Sequence, residues 1–358
     1  MIFFFHVSGH CGIVQDSSLE VDARECLMKW YGVYHFGKLY HGGVYYEWSE
    51  RILNGLKAVH MPVVLGYINI LKFIGSYQNN LNPARTDGWT SIHLAAANNH
   101  LEIVKFLAER TENANAPAND GITPIDVASI FGYIEIVKFL TTKTTNPNAA
   151  DNNGSTPIHS AASRGHNEIV KFLVPYTEIP NAPNNLGRTP LHFSAINGHI
   201  EIVKFLATKT ANPMTADIKG CTPLHNAAGK GHIEIVKFLA TSTENSITIA
   251  DFRGWTPIHT AAFHGQISIV KFLASISKNP NTLTNDGRFP IHIAARYGHA
   301  EIVKFLAKTM ENPNISMPNN GLTPLKLAAQ NNHPETVKIL INIMYEKNIF
   351  SDIMDAMK

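Results

Sequence analysis

The stretch GCTPLHNAAGKGHIEIVKFLA, residues 220–240, holds two helix signals around one break. Thr222-Pro223 opens the first helix: threonine is a good N-cap, and proline suits the first helical position, where its missing N–H costs nothing. Gly231 closes it, because a helix C-cap commonly needs the left-handed conformation. The second helix, IEIVKFLA, is amphipathic. Its Ile, Val, Phe and Leu are expected to face inward, with Glu234 and Lys237 on the solvent side.

The same stretch recurs. Its leading glycine has counterparts at Gly88, Gly121, Gly154, Gly187, Gly220, Gly254, Gly287 and Gly321, at steps of 33 or 34 residues. Eight copies in register at that period define a repeat array. Thr123, Thr156, Thr189, Thr222, Thr256 and Thr323 are the expected N-caps. The first-helix C-cap column reads Asn99, Gly132, Gly165, Gly198, Gly231, Gly265, Gly298 and Asn332, the two residue types that best tolerate a positive φ. Asn-Pro-Asn, as at 146–148 and 279–281, is expected to end the second helix, since proline cannot continue one. An extended hairpin arm then leads to the next glycine. One such unit cannot bury its own apolar face, so the units must stack.

The T-P-L-H-x-A-A-x-x-G-H pattern at a period of 33 resembles the ankyrin repeat and covers about residues 86–342. The resemblance implies an all-α solenoid of stacked helix-turn-helix units with β-hairpin-like connecting loops. A ninth, worn copy over 53–85 keeps Gly55, His60, Gly66 and Ile70-Leu71-Lys72-Phe73 in register. Residues 1–52 match no repeat, are rich in aromatics from Trp30 to Trp48, and are expected to cap the array, with a helix near 20–31. Residues 343–358 are expected to form a C-terminal capping helix. Asp126 and Lys326 replace the recurrent histidine, and Phe289 replaces the capping threonine, which puts those individual caps in doubt.

Composition narrows the function. Charged residues make up only 16% of the chain and the formal net charge is +2, which argues against nucleic-acid binding. No apolar run is long enough to span a membrane. Three scattered cysteines imply no disulfide framework, so a cytoplasmic or nuclear location is expected. Most of the eighteen histidines fall in the T-P-x-H and G-H columns, where the resemblance implies hydrogen bonds to backbone groups of the connecting loops rather than a metal site. His6, His10, Cys11 and Cys26 fit no metal-ligand spacing well, and the adjacent His10-Cys11 lacks a third orienting group for nucleophilic catalysis. No catalytic, cofactor or metal site is expected, and the chain is read as no enzyme.

Columns that repeat serve the stack, and columns that vary are open to a partner. The residue after the turn glycine varies freely, and so does the pair before the first-helix C-cap. In ankyrin proteins these columns line the hairpin tips and the concave face, where partners usually bind. Aromatic and arginine side chains dominate interface energetics. The expected partner-binding set is therefore Trp89, Ile122, Phe131, Arg164, Arg188, Lys230, Trp255, Phe263, His264, Arg288, Arg296 and Tyr297, with Trp89 and Trp255 on exposed tips. None of the concave positions is acidic, so the expected partner is another protein presenting an acidic and apolar segment to repeats three to seven. The chain is expected to act as a monomeric scaffold or adaptor. The alternative is a substrate-recognition subunit of an enzyme complex such as a ubiquitin ligase, docked through residues 1–52.

Overall fold

The computed structural model describes residues 59–77 and 79–349, together with the backbone of four short strands nearer the start of the chain. These strands pair antiparallel as two hairpins, Phe3–Val7 with His10–Val14 and Tyr40–His41 with Val44–Tyr45. The helix expected near 20–31 lies outside the described residues. Everything else of regular structure among those residues is helical.

The chain divides into two compact units, Met1–Ala128 with Glu135–Pro147, and Ser129–Ile134 with Asn148–Lys358. In the first unit the helix pairs His60–Val64 and Ile68–Ile74, then Ser91–Ala97 and Leu101–Ala108, follow the expected helix-turn-helix order. The worn copy thus carries a helix pair, even with Pro62 inside its first helix. The second unit holds six pairs among its described residues, from Pro157–Arg164 with Asn167–Leu173 to Pro324–Gln330 with Pro334–Glu346. Within it, each first helix packs on the first helices of adjacent repeats, and each second helix packs on the second helices. The boundary expected at 342/343 falls inside the last of these helices, which runs on to Glu346. Residues 350–358 lie outside the described set.

Close stacking is possible because the paired alanines are small. Ala161-Ala162, Ala227-Ala228, Ala261-Ala262 and Ala294-Ala295 are all fully buried. The first helices start where Thr-Pro places them, and the expected C-cap column has positive φ at every position, including Asn99 at 58° and Asn332 at 59°.

Two expectations about the second helix need correction. The helices end at Thr141 and Ile276, several residues short of Pro147 and Pro280, so the Asn-Pro-Asn motif is not what stops them. Its first asparagine instead makes a local turn, as where Asn279 Oδ1 accepts from the Asn281 N–H at 3.0 Å. The Phe column is also not core. In repeats one to seven the Ile, Val and Leu of IVKFL are buried, whereas Phe106, Phe139, Phe205, Phe238 and their counterparts are only half-buried. At 100° per residue the Phe position falls roughly 100° from the centre of the Ile–Val–Leu face. The ring lies on the flank, and its open face takes a cation, as where Arg110 sits 3.9 Å from the Phe106 centroid. Leu206→Ala is therefore expected to cost about 2–3 kcal/mol and Phe205→Ala about 1 kcal/mol, read from urea unfolding. Equal losses would contradict this placement.

The solvent face behaves as expected. Glu102–Lys105, Glu135–Lys138 and Glu234–Lys237 pair at 2.8 Å and Glu201–Lys204 at 3.4 Å, all exposed. Exposed pairs of this kind contribute a few tenths of a kcal/mol each and do not make an anion site.

Candidate protein-interaction face

The histidines are structural, and several of them bond the backbone of a variable column. In the T-P-x-H column, Nδ1 accepts the N–H of the capping threonine. The Thr189 N–H donates to His192 Nδ1 at 3.1 Å, and the Thr222 N–H to His225 Nδ1 at 3.2 Å. With Nδ1 an acceptor, Nε2 carries the proton and donates to a backbone carbonyl further along the chain. His93 reaches Ile122 O at 3.0 Å, His159 reaches Arg188 O at 3.1 Å, His192 reaches Cys221 O at 3.0 Å and His225 reaches Trp255 O at 2.8 Å. The G-H column ties backwards: His199 Nε2 bonds Ser163 O at 3.2 Å, and His299 Nε2 bonds Phe263 O at 2.9 Å. Burial pushes His93, His159, His192, His259 and His292 down to about 4, against the partial compensation of backbone carbonyls.

Of the three departures from this column pattern, Asp126 keeps both halves of the cap and Phe289 and Lys326 each keep one. Asp126 accepts the Thr123 N–H at 3.0 Å and the Thr123 hydroxyl at 2.8 Å. At Phe289 the backbone N–H still donates to His292 Nδ1, at 3.3 Å. At Lys326 the backbone N–H donates to the Thr323 hydroxyl oxygen at 3.2 Å.

In four repeats the residue after the turn glycine, Ile122, Arg188, Cys221 or Trp255, is thus the one whose carbonyl the preceding repeat's histidine holds. His259 instead reaches Thr282 O at 3.0 Å, and His292 reaches Ile315 O at 2.9 Å. Side chains in this column turn back toward the helices instead of standing on the tip. Trp255, expected to be exposed, is buried at 8% exposure. Arg253 covers one face of its ring at 4.5 Å, and Phe263 packs edge-on at 5.5 Å. Trp89 and Ile122 are half-buried, Trp89 lying 5.5 Å from the His93 ring. Arg188 is engaged by the buried Asp217 carboxylate at 3.5 Å, and Arg288 by Asp286 at 2.9 Å. This column is mostly scaffold.

The pair before the C-cap is more open. Arg164, Lys230, His264 and Tyr297 are exposed, while Phe131, Phe263 and Arg296 are half-buried. Phe131 stacks on Tyr133 at 5.9 Å. Arg164 and Lys230 have no carboxylate partner among the described residues. Phe263 joins three rings: it lies 5.5 Å from Trp255, 4.7 Å from His264 and 4.6 Å from Tyr297. A run of aromatic contacts therefore starts at buried Trp255 and surfaces at Tyr297, which is 43% exposed. Partial burial, then Lys230 and His299, keep His264 below the usual histidine range.

The true tips carry residues that the column comparison missed. Leu186, Ile218 and Phe252 are 49%, 55% and 74% exposed. The signal was available in the two columns before the turn glycine. Asn and Asp dominate there in the other repeats, as in Asn119-Asp120, Asn152-Asn153 and Asn285-Asp286, but repeats four to six read Asn185-Leu186, Ile218-Lys219 and Phe252-Arg253. Among the described residues no group of His, Cys, Asp and Glu could hold a metal ion, and no helix is long and apolar enough to cross a membrane.

Stacked helix pairs tied by backbone-bonding histidines, with hairpin tips between them, define a repeat scaffold. The family model described as Ankyrin repeats (3 copies) matches residues 58–151, 127–217, 211–282 and 276–351, and the chain belongs to the ankyrin-repeat family. No curated protein matches it. Ankyrin repeats are in general protein–protein interaction modules, and proteins built from them are typically non-enzymatic binding scaffolds.

Proposed function

We propose that the chain is a monomeric scaffold or adaptor that binds an acidic and apolar segment of another protein through repeats three to seven. The observation that carries this reading is the aromatic run ending at exposed Tyr297, on the same helix-end column as the exposed cations Arg164 and Lys230. A rigid aromatic anchor supported from beneath, together with positive charge that no carboxylate among the described residues neutralises, suits such a segment. The scarcity of cysteines fits action in the cytoplasm or nucleus.

Selection of a random peptide library on the full chain tests this. The enriched peptides are expected to combine acidic with aromatic or aliphatic residues. Lys230→Glu and Tyr297→Ala should each weaken their binding about tenfold, or about 1.4 kcal/mol. Both side chains are exposed, so folding should be unaffected. Peptides that bind both variants as well as the wild type would refute the assignment.

A further inference from the structure

One first-helix column changes character in the middle of the array. The residue that follows the T-P-x-H column is Leu94, Val127, Ile293 and Leu327 in repeats one, two, seven and eight, and all four are buried. In repeats three to six it is Ser160, Phe193, Asn226 and Thr260, and all four are half-buried. This position lies three and four residues before the variable pair, so it shares that pair's helix face.

Asn226 fits its column least. Its Nδ2 is sheltered from water and has no hydrogen-bond partner among the described residues. A sheltered, unpaired amide costs stability. Leucine, which fills the same place at 94 and 327, would remove that cost. The stack therefore gives no reason for the asparagine.

Polar and cationic groups from two repeats close around it. On the same helix, Pro223–Lys230, Gly229 and Lys230 follow one turn later on the same face, and Lys230 is exposed. Every other repeat carries a side chain where Gly229 stands. Here the next repeat takes the space: a Cβ at 229 would lie 3.1 Å from both Thr260 Cγ2 and His264 Cδ2. The glycine thus lets Thr260 and His264 lie against the helix that bears Asn226 and Lys230. Phe263 meets the His264 ring edge-on at 4.7 Å. Partial burial and then the charge of Lys230 depress protonation of His264, which puts the ammonium close to that ring. No Asp or Glu occupies these three columns in repeats three to seven.

These groups can donate together. The terminal torsion of an asparagine is broad, so Nδ2 can turn toward a ligand arriving from the open side. The Thr260 hydroxyl makes a long 3.5 Å bond to Thr256 O and can turn likewise. An amide N–H beside an ammonium suits a carboxylate, which accepts through two oxygens. An apolar ligand group would leave both donors unpaired.

We infer that Asn226, Lys230 and Thr260, gathered around Gly229 beside His264, form the seat for one carboxylate side chain of the partner segment. This deepens the protein-binding reading above and rests on it.

The test uses the full chain and acidic peptides selected on it from a random library. Changing one Asp or Glu of such a peptide to its amide should weaken binding at least tenfold, and so should Asn226→Leu. Made together, the two changes should weaken binding by far less than the product of their separate effects, because they remove the same contact. The urea midpoint of Asn226→Leu should equal or exceed that of the wild type. A lower midpoint would make Asn226 a structural residue and overturn the inference, and so would independent effects of the two changes. Peptides that need Lys230 and Tyr297 yet ignore Asn226→Leu would overturn the seat and leave the broader reading standing. A library that yields no acidic ligand would sink both.

Discussion

Near pH 5 the protein will unfold at a much lower urea concentration than near pH 7. The cause is the histidine column that caps the first helices. His93, His159, His192, His259 and His292 are held near 4 by burial, whereas an unfolded histidine titrates near 6.5. The folded value is the lower one. The stabilisation is therefore complete above about 6.5 and is lost as the pH falls toward 4, because the unfolded chain takes up protons that the folded chain refuses. Protonating Nδ1 would remove the acceptor of the cap and bury a positive charge. In this window each such histidine costs up to about 1.4 kcal/mol per pH unit, and the five together up to about 7 kcal/mol. Urea midpoints measured at steps between pH 7 and 5 will fall steeply, with uptake of several protons on unfolding. A flat profile would contradict the buried neutral tautomers.

The second large effect concerns Trp255. Truncation to alanine will cost about 3–5 kcal/mol of stability. The ring is buried between the Arg253 guanidinium and Phe263, and its loss leaves a void under the tip of repeat six. It also removes the support beneath the aromatic run that ends at Tyr297. Peptide affinity should then fall through loosening of that run, whereas Tyr297→Ala should lower affinity with little change in stability. Urea unfolding and binding, measured on both variants, separate the two roles. A Trp255→Ala variant as stable as the wild type would place that side chain on the surface after all.

Trp255 also marks the limit of what the sequence made legible. The 33-residue period, the Thr-Pro helix starts and the Gly/Asn column are local signals, and they located the helices because helix starts and stops are decided within a few residues. The burial of Trp255 comes instead from packing, Phe263 against the edge of its ring and Arg253 over its face, with His225 of the preceding repeat holding its carbonyl, and no local pattern announces those contacts. Variation along a column therefore did not mean exposure. The exposed residues were one or two places before the glycine, at Leu186, Ile218 and Phe252, in columns that looked like plain turn chemistry. The half-exposure of the Phe column follows from helix geometry and could have been read from the 100° step. The two N-terminal hairpins were legible but unread: Ser8-Gly9 and Gly42-Gly43 are two-residue turn signals between Val7 and His10 and between His41 and Val44.

Engagement of a partner protein by the tips and first-helix ends of repeats three to seven is open to one direct measurement: amide exchange of the full chain, with and without a library-selected ligand. Exchange is expected to slow at 185–187, 218–220 and 252–254, and around Arg164, Lys230, His264 and Tyr297. Slowing confined to the Glu–Lys stripe of the second helices, Glu201–Lys204 and Glu234–Lys237, would contradict it.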